Sequence, residues 1–145
     1  MGERAEPQRV EARQCFICGP DNPIGLRLRF HEDGAGIAAD FVPSEAFVGY
    51  NGLVHGGVVA AVMDDAMANV WAHRGQPAVT VHLSVKFRRP VRPGQRLRVF
   101  AVALSARRGA SQRVRAVVSH GDQVVAEGEG IVLVGERARL GANAP

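Results

Sequence analysis

Polar and apolar residues alternate along most of this chain, and the one long exception lies near its middle. From Val58 to Val70 the sequence reads V-V-A-A-V-M-D-D-A-M-A-N-V, with no Pro or Gly and with frequent Ala and Met. That composition favours a helix. It is apolar on nearly every face, so the pattern predicts a buried helix rather than a surface one. The chain enters it through Tyr50-Asn51-Gly52-Leu53-Val54-His55-Gly56-Gly57 and leaves it near Arg74-Gly75, where Gly supplies a stop.

The flanking segments carry the period of strands. Leu26, Leu28 and Phe30 alternate with Arg27, Arg29 and His31, as a half-buried strand would. Asp33-Gly34 predicts a hairpin turn into a partner strand over Gly36 to Val42. Residues 43–52 form a connecting loop with Phe47 and Tyr50. After the helix, Val79, Val81, Leu83, Val85 and Phe87 predict one strand face, and Thr80, His82, Ser84, Lys86 and Arg88 the other. Pro90 to Gly94 ends that strand. Further strands are expected over Gln95 to Ala106, Ala110 to Ser119 and Gln123 to Val134. Their turns are Arg107-Arg108-Gly109 and His120-Gly121-Asp122. Short turns imply antiparallel neighbours. The pattern therefore predicts an α+β fold, a curved antiparallel sheet of about six strands around one long buried helix.

At 145 residues the chain is long enough for one domain with a real core. We expect a disordered lead-in over 1–13, one domain over 14–135 and a frayed tail over 136–145. No apolar run is long enough to span a membrane. Met1 to Arg13 is charged and polar, unlike a signal peptide, and two cysteines cannot build a disulfide framework. A cytoplasmic protein is expected. The net charge is +4, and Lys86 is the sole lysine among 18 basic residues. Arg forks suit phosphates. Scattered basic residues and few aromatics argue against nucleic acid as a partner.

Three features carry candidate chemistry. Asp64 and Asp65 interrupt the apolar helix, and burying an unpaired carboxylate is costly. The helix start has none of the usual Ser, Thr, Asp or Asn caps. Its two glycines would let a ligand approach the first backbone N–H groups, a ready place for an oxygen carrying negative charge. Finally, Cys15-Phe16-Ile17-Cys18-Gly19 resembles half of a zinc knuckle. A zinc site takes about four ligands. His31 or a second subunit would have to add the others, so the segment is read as a structural loop without metal.

H-G-G-x(6)-D, His55 to Asp64, resembles the motif of the hot-dog-fold acyl-CoA thioesterases of the phenylacetate-pathway type. Cys-x-x-Cys-Gly followed by Asn22-Pro23-Ile24-Gly25-Leu26 resembles a subset of that family, and Arg89, Pro90 and Gly94 resemble its R-P-x-x-x-G turn. The resemblance covers roughly residues 15–134 and implies hydrolysis of an acyl-coenzyme A, with no cofactor apart from the substrate's own coenzyme A. It implies Asp64 as general base or nucleophile, and Gly56 as oxyanion donor with Gly57 assisting. His55 is implied as a helix-start residue and Thr80 as a neighbour of the reacting water. Asp65 is read as structural, since it points about 100° away from Asp64 around the helix. Phe47, Tyr50, Asn51 and Met67 are candidate pocket residues. Arg88, Arg89, Arg107 and Arg108 are candidate clamps for the phosphates of coenzyme A. Relatives often place Asn or Gln six or seven residues before the motif histidine, where this chain has Gly49 and Val48. That departure favours an alternative, a non-catalytic acyl-CoA-binding regulatory or structural module. The resemblance also implies a homodimer or a dimer of dimers.

Overall fold

The computed structural model describes residues 12–104 and 109–135. Six strands form one antiparallel sheet around a single helix. The strands are β1 (His31–Asp33), β2 (Gly36–Phe41), β3 (Ala78–Phe87), β4 (Leu97–Ala103), β5 (Ser111–His120) and β6 (Gln123–Val134). The helix α1 (Gly56–Ala72) lies between β2 and β3 in the chain. The sheet order is β1-β2-β4-β5-β6-β3, which leaves β3 on an edge. The expected α+β architecture is the one observed. Among the described residues no helix is long and apolar enough to cross a membrane.

The helix forms because its apolar residues have somewhere to go. Val59, Val62, Met63, Ala66, Met67, Val70 and Trp71 are all buried. They meet the inward faces of β4 and β5, where the buried Leu97, Val99, Ala101, Val114, Ala116 and Val118 alternate with half-buried or exposed positions. On β6 the inward positions shrink to glycine where the helix comes closest. A Cβ on Gly128 would lie 3.2 Å from Met63 Cε and 2.2 Å from the Ser84 carbonyl oxygen; one on Gly130 would lie 2.7 Å from Met67 Sδ. Gly75 ends the helix at a φ of +82°, its N–H bonded to the Ala72 carbonyl.

Three expectations are corrected. Leu26 to His31 has the expected alternation, with Leu28 buried and Arg27 and Arg29 exposed, yet only His31 joins a strand. Leu26 and Leu28 donate instead to the carbonyls of Phe16 and Ile17, so this segment pairs with the cysteine loop. The predicted faces of β3 are broken by a bulge between Thr80 and His82. Thr80 pairs with the fully buried Val132 and turns inward with Leu83 and Val85, whereas Val81 is 55% exposed. Arg13, expected in the lead-in, is bonded to Asp21 through Nε at 2.7 Å and Nη2 at 3.0 Å. Residues 1–11 of the expected lead-in, the whole expected tail and the turn residues Arg107 and Arg108 lie outside the described residues.

Candidate active site at the start of the central helix

The helix start is capped after all, by an unusual residue. His55 Nδ1 accepts the Gly57 N–H at 2.8 Å. Val58 and Val59 N–H turn back to the His55 carbonyl, and the His55 N–H is held by the Phe47 carbonyl at 2.9 Å. The expectation that both glycine N–H groups stand open is therefore corrected. Gly57 is committed to the cap, and only the Gly56 N–H has no acceptor among the described residues. A Cβ on Gly56 would meet the Phe87 ring at 3.4 Å, an ordinary contact, so packing within the chain does not demand glycine there. A Cβ on Gly49 would lie 3.1 Å from the His55 ring. A larger side chain at position 49 would therefore crowd the cap.

In front of Gly56 is a cavity of about 260 Å³, lined by Val59, Phe87, Arg88, Arg89 and Val91 among others. The end of β3 is pinned here, since the Arg88 and Arg89 N–H groups both donate to the Val125 carbonyl. Arg88 also pairs with Glu127 at 3.0 Å, which holds the Glu127 carboxyl below its ordinary range. The sequence pointed to Gly56, Arg88 and Arg89. It did not point to Val59 or Phe87, whose apolar periods read as ordinary core, or to Val91, which read as part of a turn.

The other candidates sit apart from that cavity. Asp64 is half-buried, and its carboxylate makes no hydrogen bond or ion pair with any described residue. Eight residues of helix separate it from Gly56, about 12 Å along the axis. Thr80 lies on β3, paired with Val132 of β6. The Thr80 Oγ1 is buried without a hydrogen-bond partner among the described residues. Met67 is corrected as a pocket wall: it is fully buried, its sulfur packed over Gly130. Phe47 is half-buried against Phe16, with ring centroids 6.5 Å apart. Tyr50 is 85% exposed and Asn51 is exposed, so neither walls a pocket within one chain.

Asp65 points to the opposite side, into a cluster the sequence did not reveal. Cys15 Sγ lies 3.4 Å from Asp65 Oδ1, and Asn69 Nδ2 lies 3.3 Å from Asp65 Oδ2. Burial pushes the Asp65 carboxyl above its ordinary range, against the thiols of Cys18 and Cys15, which pull it down. Burial, with Asp65 adding to it, pushes the Cys18 thiol up. Cys15 and Cys18 were visible as a pair, but their partner is 50 residues away in sequence.

The thioesterase superfamily model matches residues 51–127, just over half of the chain, including the helix start and both aspartates. No curated protein matches. Among solved structures, a thioesterase superfamily protein superposes with a TM-score of 0.75 at 23% identity, over 82% of this chain and 62% of that one. This chain thus spans less than two thirds of that protein. A phenylacetic acid degradation-related protein from Ralstonia eutropha JMP134 gives a TM-score of 0.67 at 24% identity, covering 74% of this chain and 85% of its own. A Streptococcus mutans UA159 protein bound to acetyl-CoA gives 0.67 at 19% identity, covering 74% and 87%. The chain belongs to the thioesterase superfamily and has the hot-dog fold that these structures share.

Proposed function

We propose that this protein hydrolyses the thioester of an acyl-coenzyme A, releasing the free acid and coenzyme A. The observation that carries the reading is the Gly56 N–H, left without an internal acceptor at the mouth of an apolar cavity edged by Arg88 and Arg89. A thioester oxygen placed there would receive that N–H as negative charge develops on it. Arg88 and Arg89 suit the phosphates of coenzyme A, and Phe87 and Val59 suit an acyl chain. The Streptococcus mutans protein of the same fold holds acetyl-CoA.

Hydrolysis also requires a nucleophile within about 3–3.5 Å of the same carbon, or a base within hydrogen-bond reach of the water that attacks it. In our reading Asp64 fills that role, and it comes from a second copy of the chain. The 12 Å between Gly56 and Asp64 rules out one helix supplying both. The free edge strand β3, ten residues long, carries Val79, Val81 and Phe87 exposed beside His82, Ser84 and Lys86, and an unpaired edge of that length invites pairing. Two such edges related by a two-fold axis would set the helices antiparallel, with Asp64 of each facing the Gly56 end of the other. Tyr50 and Asn51, exposed here, would then lie near the shared site. A panel of aromatic and aliphatic acyl-CoA esters, assayed for free thiol, tests the reading. Turnover of at least one class, lost in Asp64→Asn, is expected. Binding of the esters without hydrolysis would replace it with the binding-module alternative.

A further inference from the structure

The cysteine loop folds around a sulfur. Cys15 Sγ accepts the backbone N–H groups of Ile17 at 3.4 Å and Cys18 at 3.5 Å. The Gly19 N–H closes on the Cys15 carbonyl at 2.9 Å. Only glycine permits that closure, since a Cβ at position 19 would lie 2.3 Å from the Cys15 nitrogen. The loop thus directs both thiols at one point on the helix, where Asp65 stands.

Cys15 Sγ, Cys18 Sγ and an Asp65 carboxylate oxygen all lie within 4.8 Å of one another. All three groups are negative when ionised, and they share a half-buried place. Protonated, the Cys15 thiol donates to Asp65 Oδ1 at 3.4 Å; ionised together, the three groups repel one another. A divalent cation reverses the sign of every one of those interactions.

We propose that Cys15, Cys18 and Asp65 form a zinc site that fastens the loop to helix α1. Bonds of about 2.3 Å to sulfur and 2.0 Å to oxygen, in a tetrahedron, require a sulfur-to-oxygen edge of about 3.5 Å. The Cys15-to-Asp65 distance is 3.4 Å. Two thiolates and a carboxylate suit Zn²⁺ better than Mg²⁺ or Ca²⁺, which take oxygen ligands. Asn69 supplies outer support. Its Nδ2 donates to the Asp65 carbonyl at 2.8 Å and lies 3.9 Å from Cys18 Sγ. The fourth position belongs to solvent, which reaches the half-exposed cluster. The expectation of no metal looked to His31 or a second subunit for further ligands; His31 is exposed in β1, and Asp65 is the third ligand. Asp65 faces away from the Asp64 side of the helix, so the ion braces the helix and takes no part in hydrolysis. Binding displaces the thiol protons, about two per ion at neutral pH.

The test uses the full chain, reduced and stripped of metal, titrated with Zn²⁺ and separately with Co²⁺. The wild type should take up about one ion per chain, release about two protons and show the thiolate-to-cobalt charge-transfer band. At a hundredfold excess over Kd, Zn²⁺ should raise Tm by about 5–10 °C. Cys18→Ser should lose about half of the charge-transfer intensity, and Asp65→Asn should weaken binding by at least about tenfold. A reduced wild type that takes up no ion at micromolar Zn²⁺ overturns the proposal. So does a cobalt spectrum unchanged in Cys18→Ser, or equal affinity in Asp65→Asn.

Discussion

Thr80→Val is a perturbation whose two effects should run in opposite directions. The bulge at Val81 turns Thr80 inward, opposite the fully buried Val132, and leaves its hydroxyl buried without a partner among the described residues. An unsatisfied buried hydroxyl costs about 1–3 kcal/mol. Valine keeps the branched shape and strand propensity and removes the polar atom. We therefore expect a gain of about 1 kcal/mol, a rise in Tm of roughly 2–4 °C for a domain of this size. If the hydroxyl serves the reacting water in a shared site, the same change removes one hydrogen bond from the transition state. That loss is worth about 1 kcal/mol, so kcat should fall roughly fivefold. Thermal melts and acyl-CoA turnover on the same preparation separate the two effects. A Tm lowered by more than about 2 °C would refute the reasoning, because the hydroxyl would then be satisfied in the working protein. A raised Tm with unchanged kcat would make Thr80 a strand residue only.

His55→Ala should cost about 1 kcal/mol by leaving the Gly57 N–H uncapped, and His55→Asn, a common cap, should recover most of it; chemical denaturation of both variants reads this directly. Gly130→Ala should destabilise by about 1–3 kcal/mol, because its Cβ would lie 2.7 Å from Met67 Sδ and 2.9 Å from the His82 carbonyl oxygen, while kcat of the folded fraction stays unchanged. Asp64→Asn should lower kcat by at least about a hundredfold with KM little changed. Asp65→Asn should affect rate far less, and steady-state kinetics on the two variants would reverse the assignment if Asp65→Asn were the inactive one.

The helix was legible because thirteen residues free of Pro and Gly leave few alternatives, and the later strands because tight turns bound their alternation. What stayed hidden depended on distant partners. The alternation at Leu26 to Phe30 correctly marked burial, but it could not say that the cysteine loop, not a strand, takes the Leu26 and Leu28 N–H groups. Val79 to Phe87 kept an unbroken period of two, so nothing local betrayed the bulge that turns Thr80 inward. The glycines at 128 and 130 make sense only once Met63 and Met67 lie over them. The cap at His55 was missed because histidine is an uncommon cap, and the third member of the Cys15–Cys18 cluster because Asp65 comes from another element. The candidate site was legible as a motif, whereas its geometry had to come from the fold. Helix pitch alone separates Gly56 from Asp64 by about 12 Å.

Chain mixing tests that separation most directly. Asp64→Asn and Gly56→Val, each nearly inactive alone, are unfolded, combined in equal amounts and refolded. Random pairing makes half of the dimers mixed, and each mixed dimer has one doubly altered site and one intact site. About a quarter of wild-type acyl-CoA hydrolysis should therefore return. If both variants refold and exchange chains, as a tagged partner would show, and no activity returns, then the site lies within one chain and the account of Gly56 and Asp64 as partners across a dimer is wrong.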